Sequence, residues 1–148
     1  MSIHSYSNIW IHFIWSTLGR EPVLNEQARR RVSGYFFNYC KEKQIYIKTN
    51  FVNADHVHLL LDLPTSLSIE ECVKLIKGSS SHFINQDRLT SDKFNWGRGY
   101  GAFSVSESLT LKVAEYIQNQ EEHHRKKSFA DEIELFLQKH GRGDLRNN

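Results

Sequence analysis

Three residues, Asn53-Ala54-Asp55, separate two runs of strand-forming residues, Ile45 to Val52 and His56 to Leu63. Parallel pairing would need a crossover of roughly a dozen residues or more. So short a connection makes the two runs an antiparallel hairpin, and Pro64 stops the second one. The flanking segments then fall into order. Asn8 to Ser16 alternates as a strand does, with Ile9, Ile11, Phe13 and Trp15 on one face and Asn8, Trp10, His12 and Ile14 on the other. Gly19 and Pro22 punctuate a loop. Asn25 predicts the N-cap of a helix through about Lys43, with Val32, Phe36, Tyr39 and Cys40 as its apolar stripe. Ser68 and Glu71 have capping-box spacing and open a helix to about Asn85, carrying Cys72, Val73, Ile76, Phe83 and Ile84. Gly99 to Val105 reads as a fourth strand. Ser108 or Thr110 caps a helix to about Glu122, and Ser128 caps a last one bearing Phe129, Ile133, Phe136 and Leu137.

Strand, helix, strand, strand, helix, strand, then two helices is the split βαβ order of a ferredoxin-like α+β sandwich, an antiparallel sheet with helices on one face. That architecture hosts RNA binders, metal carriers and nucleases alike, so it does not decide function. The 148 residues fit one domain, 1–140, with 141–148 as a frayed tail. No run approaches the roughly 20 apolar residues of a membrane span. The first residues lack a secretory pattern, so a cytoplasmic protein without a membrane is expected. Cys40 and Cys72 have no metal or redox spacing and read as small semi-buried hydrophobes.

Net charge is only +2, but it is unevenly spread. Residues 25–43 set Arg29, Arg30, Arg31, Lys41 and Lys43 against Glu26 and Glu42; residues 74–98 set Lys74, Lys77, Arg88, Lys93 and Arg98 against Asp87 and Asp92. Such patches suit phosphates, and they also suit solvated helix faces. Arg98, Tyr100 and Phe103 interleave a base with aromatics, which fits either stacking on unpaired bases or packing of an edge strand. Arg29, Arg30, Lys74, Lys77, Arg98 and Tyr100 are the expected DNA contacts.

Chemistry concentrates in two places. On a strand, His56 and His58 leave the same face while Val57, Leu59, Leu61 and Leu63 enter the core. Two imidazoles at that spacing can share one divalent cation; they equally fit two partly exposed histidines held by hydrogen bonds. On a helix, Tyr116 and Gln120 are four apart and neighbours on one face, beside Val113 and Ile117. A hydroxyl beside an amide oxygen suits a nucleophile next to a metal ligand, although a helical tyrosine commonly just packs its ring. His12 shares the polar register of the sheet, as a structural hydrogen-bonding residue or a ligand. His123 and His124 follow Tyr116 along the chain, where a solvated helix end or a phosphate contact suits them better than ligation.

His56-Val57-His58 resembles the HUH motif, in which U is a bulky hydrophobic residue. Tyr116 within Tyr-Ile-Gln-Asn-Gln resembles the helix-borne nucleophile of the single-tyrosine HUH transposases, the small enzymes of minimal bacterial insertion sequences and their REP-associated relatives. Phe94 to Ser106 and Asn119 to Arg125 are similar to that family's stretches on either side of the tyrosine, and the likeness spans most of residues 6–139. The resemblance implies a Mg²⁺ or Mn²⁺ ion on His56, His58 and Gln120, which would polarise a scissile phosphate. It implies attack by Tyr116 on single-stranded DNA near a hairpin, leaving a 5′-phosphotyrosine whose energy permits rejoining. An unperturbed tyrosine has a pKa of about 10, so a metal or local base must help it ionise. Family members act as homodimers in which the tyrosine of one subunit faces the histidines of the other. The alternative is a non-catalytic single-stranded DNA- or RNA-binding module. An RNA-recognition sheet would carry aromatics where the third strand carries His56 and His58.

Overall fold

The computed structural model describes residues 5–120 and 129–139. They fall into two compact units, Met1–Gln118 and Asn119–Asn148. The first holds four strands, β1 Trp10–Ser16, β2 Tyr46–Val52, β3 His56–Asp62 and β4 Gly101–Val105, and three helices, α1 Glu26–Glu42, α2 Ile69–Gln86 and α3 Thr110–Gln118. Of the second, helix α4 spans Phe129–Lys139, with Ile133, Leu135 and Leu137 partly buried. The expected cap Ser128, the segment 121–125 and the tail 141–148 lie outside the described residues. Among the described residues no helix is long and apolar enough to cross a membrane.

The sheet order is β2-β3-β1-β4, every pairing antiparallel, as a split βαβ chain requires. Local signals set the helix starts. The Asn25 side chain accepts from the Ala28 N–H at 2.8 Å. Ser68 and Glu71 close a full capping box, which satisfies two backbone donors reciprocally. β1 begins at Trp10 rather than Asn8, because the Ile9 N–H donates to the Asp62 carboxylate outside the strand, at 2.9 Å. β4 begins at Gly101 rather than Gly99, because Gly99 has φ +79°, a left-handed value incompatible with an extended strand.

Ile11, Phe13, Trp15, Val57, Leu59 and Leu61 face α1 and α2 and form the main core with Val32, Phe36, Cys40, Cys72, Val73 and Ile76. Trp15 meets Phe36 and Trp96 edge-on, and the Trp96 indole N–H donates to Ser80 Oγ at 2.9 Å. β2 reaches both faces through a register shift. Ile47 pairs with Leu61 and Thr49 with Leu60, so Lys48 is an extra residue. This bulge inverts the alternation beyond it. Asn50 and Val52 therefore turn to the helices, where Ser33 Oγ donates to Asn50 Oδ1 at 2.7 Å, and Thr49 and Phe51 turn away.

The expectation of helices on one face holds for α1 and α2. The tyrosine-bearing α3 closes the other face, where Ile117 is buried against Trp10 and Leu60, with Phe51, Val105, Val113, Ala114 and Tyr116 around them. Polar ties hold α3 at both ends. The Trp10 indole donates to Glu107 just before α3, and the Gln118 amide donates to Thr49 Oγ1 and, at 3.4 Å, to the Asn50 carbonyl.

Candidate active site

β3 delivers His56 and His58 to the face beneath α3, as strand alternation requires. Neither imidazole has any solvent exposure, which removes the reading of two partly exposed histidines. Their ring centroids lie 5.1 Å apart. His56 Nδ1 is 2.7 Å from Asp55 Oδ1, and its Nε2 is 3.0 Å from Asn53 Nδ2. A carboxylate without a proton only accepts, so Nδ1 donates and the lone pair sits on Nε2. His58 Nδ1 lies 2.9 Å from Nε2 of His12 on β1. The hairpin connection therefore does more than turn the chain: Asn53 and Asp55 hold the first histidine. The adjacency of Asp55 to His56 was the available sequence signal, whereas nothing local linked His12 to His58.

Tyr116 on α3 meets His58 in the same chain, ring centroids 6.3 Å apart and planes at 77°, an edge-on contact. One face of one sheet thus gathers His12, His56, His58 and Tyr116. Helix α3 ends at Gln118, with Asn119 in a turn, so the continuous helix to about Glu122 that would put Tyr116 and Gln120 on one face does not form. Asparagine is a poor helix former because its amide competes for nearby backbone groups. Gln120 belongs to the second unit; it is fully buried and neither atom of its amide has a hydrogen-bond partner. A buried amide in that state fits a group bound through its oxygen. Both histidines have Nδ1 engaged by protein, and His56 Nε2 also accepts from the Asn53 amide, so a cation on His56 Nε2 would take the place of that amide N–H.

The expected DNA contacts lie elsewhere. Arg29 and Arg30 stand on α1 and Lys74 and Lys77 on α2, the layer on the opposite face of the sheet from the histidines. Arg30 pairs with Glu26 at 2.5 Å on the surface. Lys77 donates to the carbonyls of Gly97 and Gly99 at 2.8 and 3.0 Å, and burial lowers its pKa. It thereby ties α2 to the loop that presents exposed Arg98 and Tyr100. The Tyr100 ring also meets Phe13 edge-on, and Phe103 is buried, packing near His12 at 6.5 Å. Cys40 and Cys72 are free and fully buried rather than semi-buried. Burial, with neighbouring Cys72 adding to it, pushes the Cys40 thiol up to about 12, and burial pushes Cys72 to about 11.

A family model described as IS200-like transposase matches residues 5–120. The transposase for insertion sequence element IS200 of Salmonella typhimurium is 28% identical over 123 residues, covering 79% of this chain and 80% of the relative. The ISDra2 transposase TnpA of Deinococcus radiodurans is 27% identical over 114 residues, covering 74% and 81%. Among solved structures, one described as a candidate transposase from Deinococcus radiodurans superposes with TM-score 0.64 at 23% identity, covering 81% of this chain and 96% of that one. A REP-associated tyrosine transposase bound to a REP hairpin gives TM-score 0.61 at 14% identity, covering 84% and 74%.

Proposed function

This chain belongs to the IS200-like transposase family, and on that premise we propose that it cleaves and rejoins single-stranded DNA through Tyr116. The observation that carries the reading is the edge-on contact of Tyr116 with His58, on the sheet face that also holds His56. Tyr116 Oη attacks the scissile phosphorus. The O–P bond to tyrosine forms as the bond from phosphorus to the 3′-oxygen breaks. The phenolic proton passes to water, and the leaving oxygen takes a proton from water to become a 3′-hydroxyl. The 5′-phosphate stays on Tyr116, so a later 3′-hydroxyl can attack it and restore both phosphodiester and tyrosine without a nucleotide cofactor.

His56 and His58, with Gln120 as the third ligand that the resemblance implies, would hold Mg²⁺ or Mn²⁺. When bound, the ion supplies Lewis-acid polarisation of the phosphate. Asp55 and Asn53 orient His56, and His12 engages His58. The full burial of both imidazoles means that phosphate reaches them only when this face opens, and α3 packs on this face through Ile117.

Recognition is separate from chemistry. Arg29, Arg30 and Lys74 offer phosphate contacts on the helical layer, with Lys77 holding the loop of Arg98 and Tyr100. A solved relative with a similar fold binds a REP hairpin, and a hairpin beside the cut is the proposed substrate here. The protein acts as a homodimer in the cytoplasm. Contact of Tyr116 with its own chain's His58 supports cleavage in cis over the shared arrangement of the resemblance.

The test is incubation with hairpin-bearing single-stranded DNA and Mn²⁺ or Mg²⁺, read as a protein–DNA adduct that survives denaturation. Wild type forms it, and Tyr116→Phe does not. An adduct that persists in Tyr116→Phe refutes the nucleophile. Binding without any adduct in wild type replaces the enzyme with a non-catalytic DNA-binding module.

A further inference from the structure

We infer that His12 is a positioning residue that sets the tautomer and ring orientation of His58, and through them the cation affinity of the site. The inference rests on the metal-assisted reading above. His12 lies on β1 opposite Leu60, and Ile14 lies opposite His58, so the two histidines are diagonal neighbours across the β1–β3 ladder on one face. Their rings are buried, with centroids 5.2 Å apart and a 2.9 Å contact from His12 Nε2 to His58 Nδ1.

A hydrogen bond between two neutral imidazoles has one donor and one acceptor, which leaves two arrangements. If His12 donates, the proton of His58 sits on Nε2 and that ring has no lone pair left for a cation. If His58 donates from Nδ1, its lone pair sits on Nε2 and His12 accepts. His56 shows which arrangement the site is built around. Its Nδ1 donates to Asp55 Oδ1 at 2.7 Å, which puts the lone pair on Nε2, where it accepts from the Asn53 amide at 3.0 Å and where a cation would bind in that amide's place. His12 therefore does for His58 what the carboxylate does for His56, the outer partner that fixes a metal-binding histidine. The same contact occupies His12 Nε2, so His12 orients a ligand through that atom and does not coordinate with it. Phe103, opposite His12 in the β1–β4 ladder and 6.5 Å from it between ring centroids, packs against the ring.

The test uses the full chain without DNA. Long-range ¹⁵N–¹H NMR of metal-free protein reads the His58 tautomer, and electron paramagnetic resonance of free Mn²⁺ reads affinity. Wild type shows His58 protonated on Nδ1. His12→Gln, whose amide oxygen can accept in place of Nε2, keeps Mn²⁺ affinity within about threefold. His12→Phe loses about 10–100-fold, the usual effect of removing such a partner, and its His58 loses the single tautomer. His58 protonated on Nε2 in wild type overturns the inference, and this measurement needs no variant to fold. So does a folded His12→Phe with wild-type affinity and an unchanged tautomer. Absence of Mn²⁺ binding in wild type overturns the metal-assisted reading instead, and the tautomer comparison still decides the role of His12.

Discussion

Replacing Ile117 with alanine removes three carbons from a side chain with no solvent exposure, in the small cluster that fastens α3 to Trp10 and Leu60. At about 0.8 kcal/mol per buried methylene the transfer loss is about 2.4 kcal/mol. The cavity left between helix and sheet raises the total to about 3–4 kcal/mol. Helix α3 has only nine residues, fewer than the roughly 12–15 at which a free helix is even marginal in water. Its helical state therefore depends on docking, and the loss emerges as local opening before global unfolding. The main core beneath α1 and α2 does not include Ile117, so the strands keep their support from that side. Hydrogen exchange at residues 114–118 is the assay. A loss of 3 kcal/mol lowers protection at least about 100-fold, at a tenfold change per 1.4 kcal/mol, while β1 and β3 change little. Unchanged protection in α3, or a loss spread evenly through α3, β1 and β3, refutes the reasoning.

Mixing His58→Ala with Tyr116→Phe protein tests the cis arrangement: neither chain then holds a complete site, so no adduct forms, whereas an adduct in the mixture places Tyr116 against the partner subunit's histidines. Arg30→Ala combined with Lys74→Ala weakens hairpin binding and flattens its salt dependence by up to about two units of slope, leaving adduct formation at saturating DNA unchanged; a loss of the adduct at saturation ties these residues to the chemistry. The buried thiols predict alkaline destabilisation. Unfolded cysteines ionise near their ordinary value of 9.0 while folded Cys40 holds its proton to about 12. The unfolded state then binds fewer protons, and stability falls as pH rises from about 9 towards 12, by up to about 1.4 kcal/mol per pH unit for that thiol. Cys40→Ala melts followed from pH 8 to 11 show a shallower decline than wild type, and parallel slopes in the two proteins contradict the assignment.

The helix caps and the hairpin were legible because each depends on residues a few positions apart. Asn25 with Ala28 and Ser68 with Glu71 are backbone requirements met by near neighbours. The bulge at Lys48 was not legible, since a strand shows its register only against a partner. The end of α3 at Gln118 was missed because side-chain periodicity continues past it, while the Gln118 amide is drawn to Thr49 on a distant strand.

By itself the sequence determined that His56 and His58 share one face, that three residues turn β2 into β3, and that Tyr116 rides on a helix. These follow from covalent geometry, which repeats every two residues in a strand and every 3.6 in a helix. Only the tertiary structure decided that this face is covered, that Tyr116 lies against His58 of its own chain, and that His12 grips His58. Those contacts join residues 46 to 58 positions apart. They exist because β1 and β3 pair in one register and α3 buries Ile117 on the sheet, and neither can be read from local periodicity.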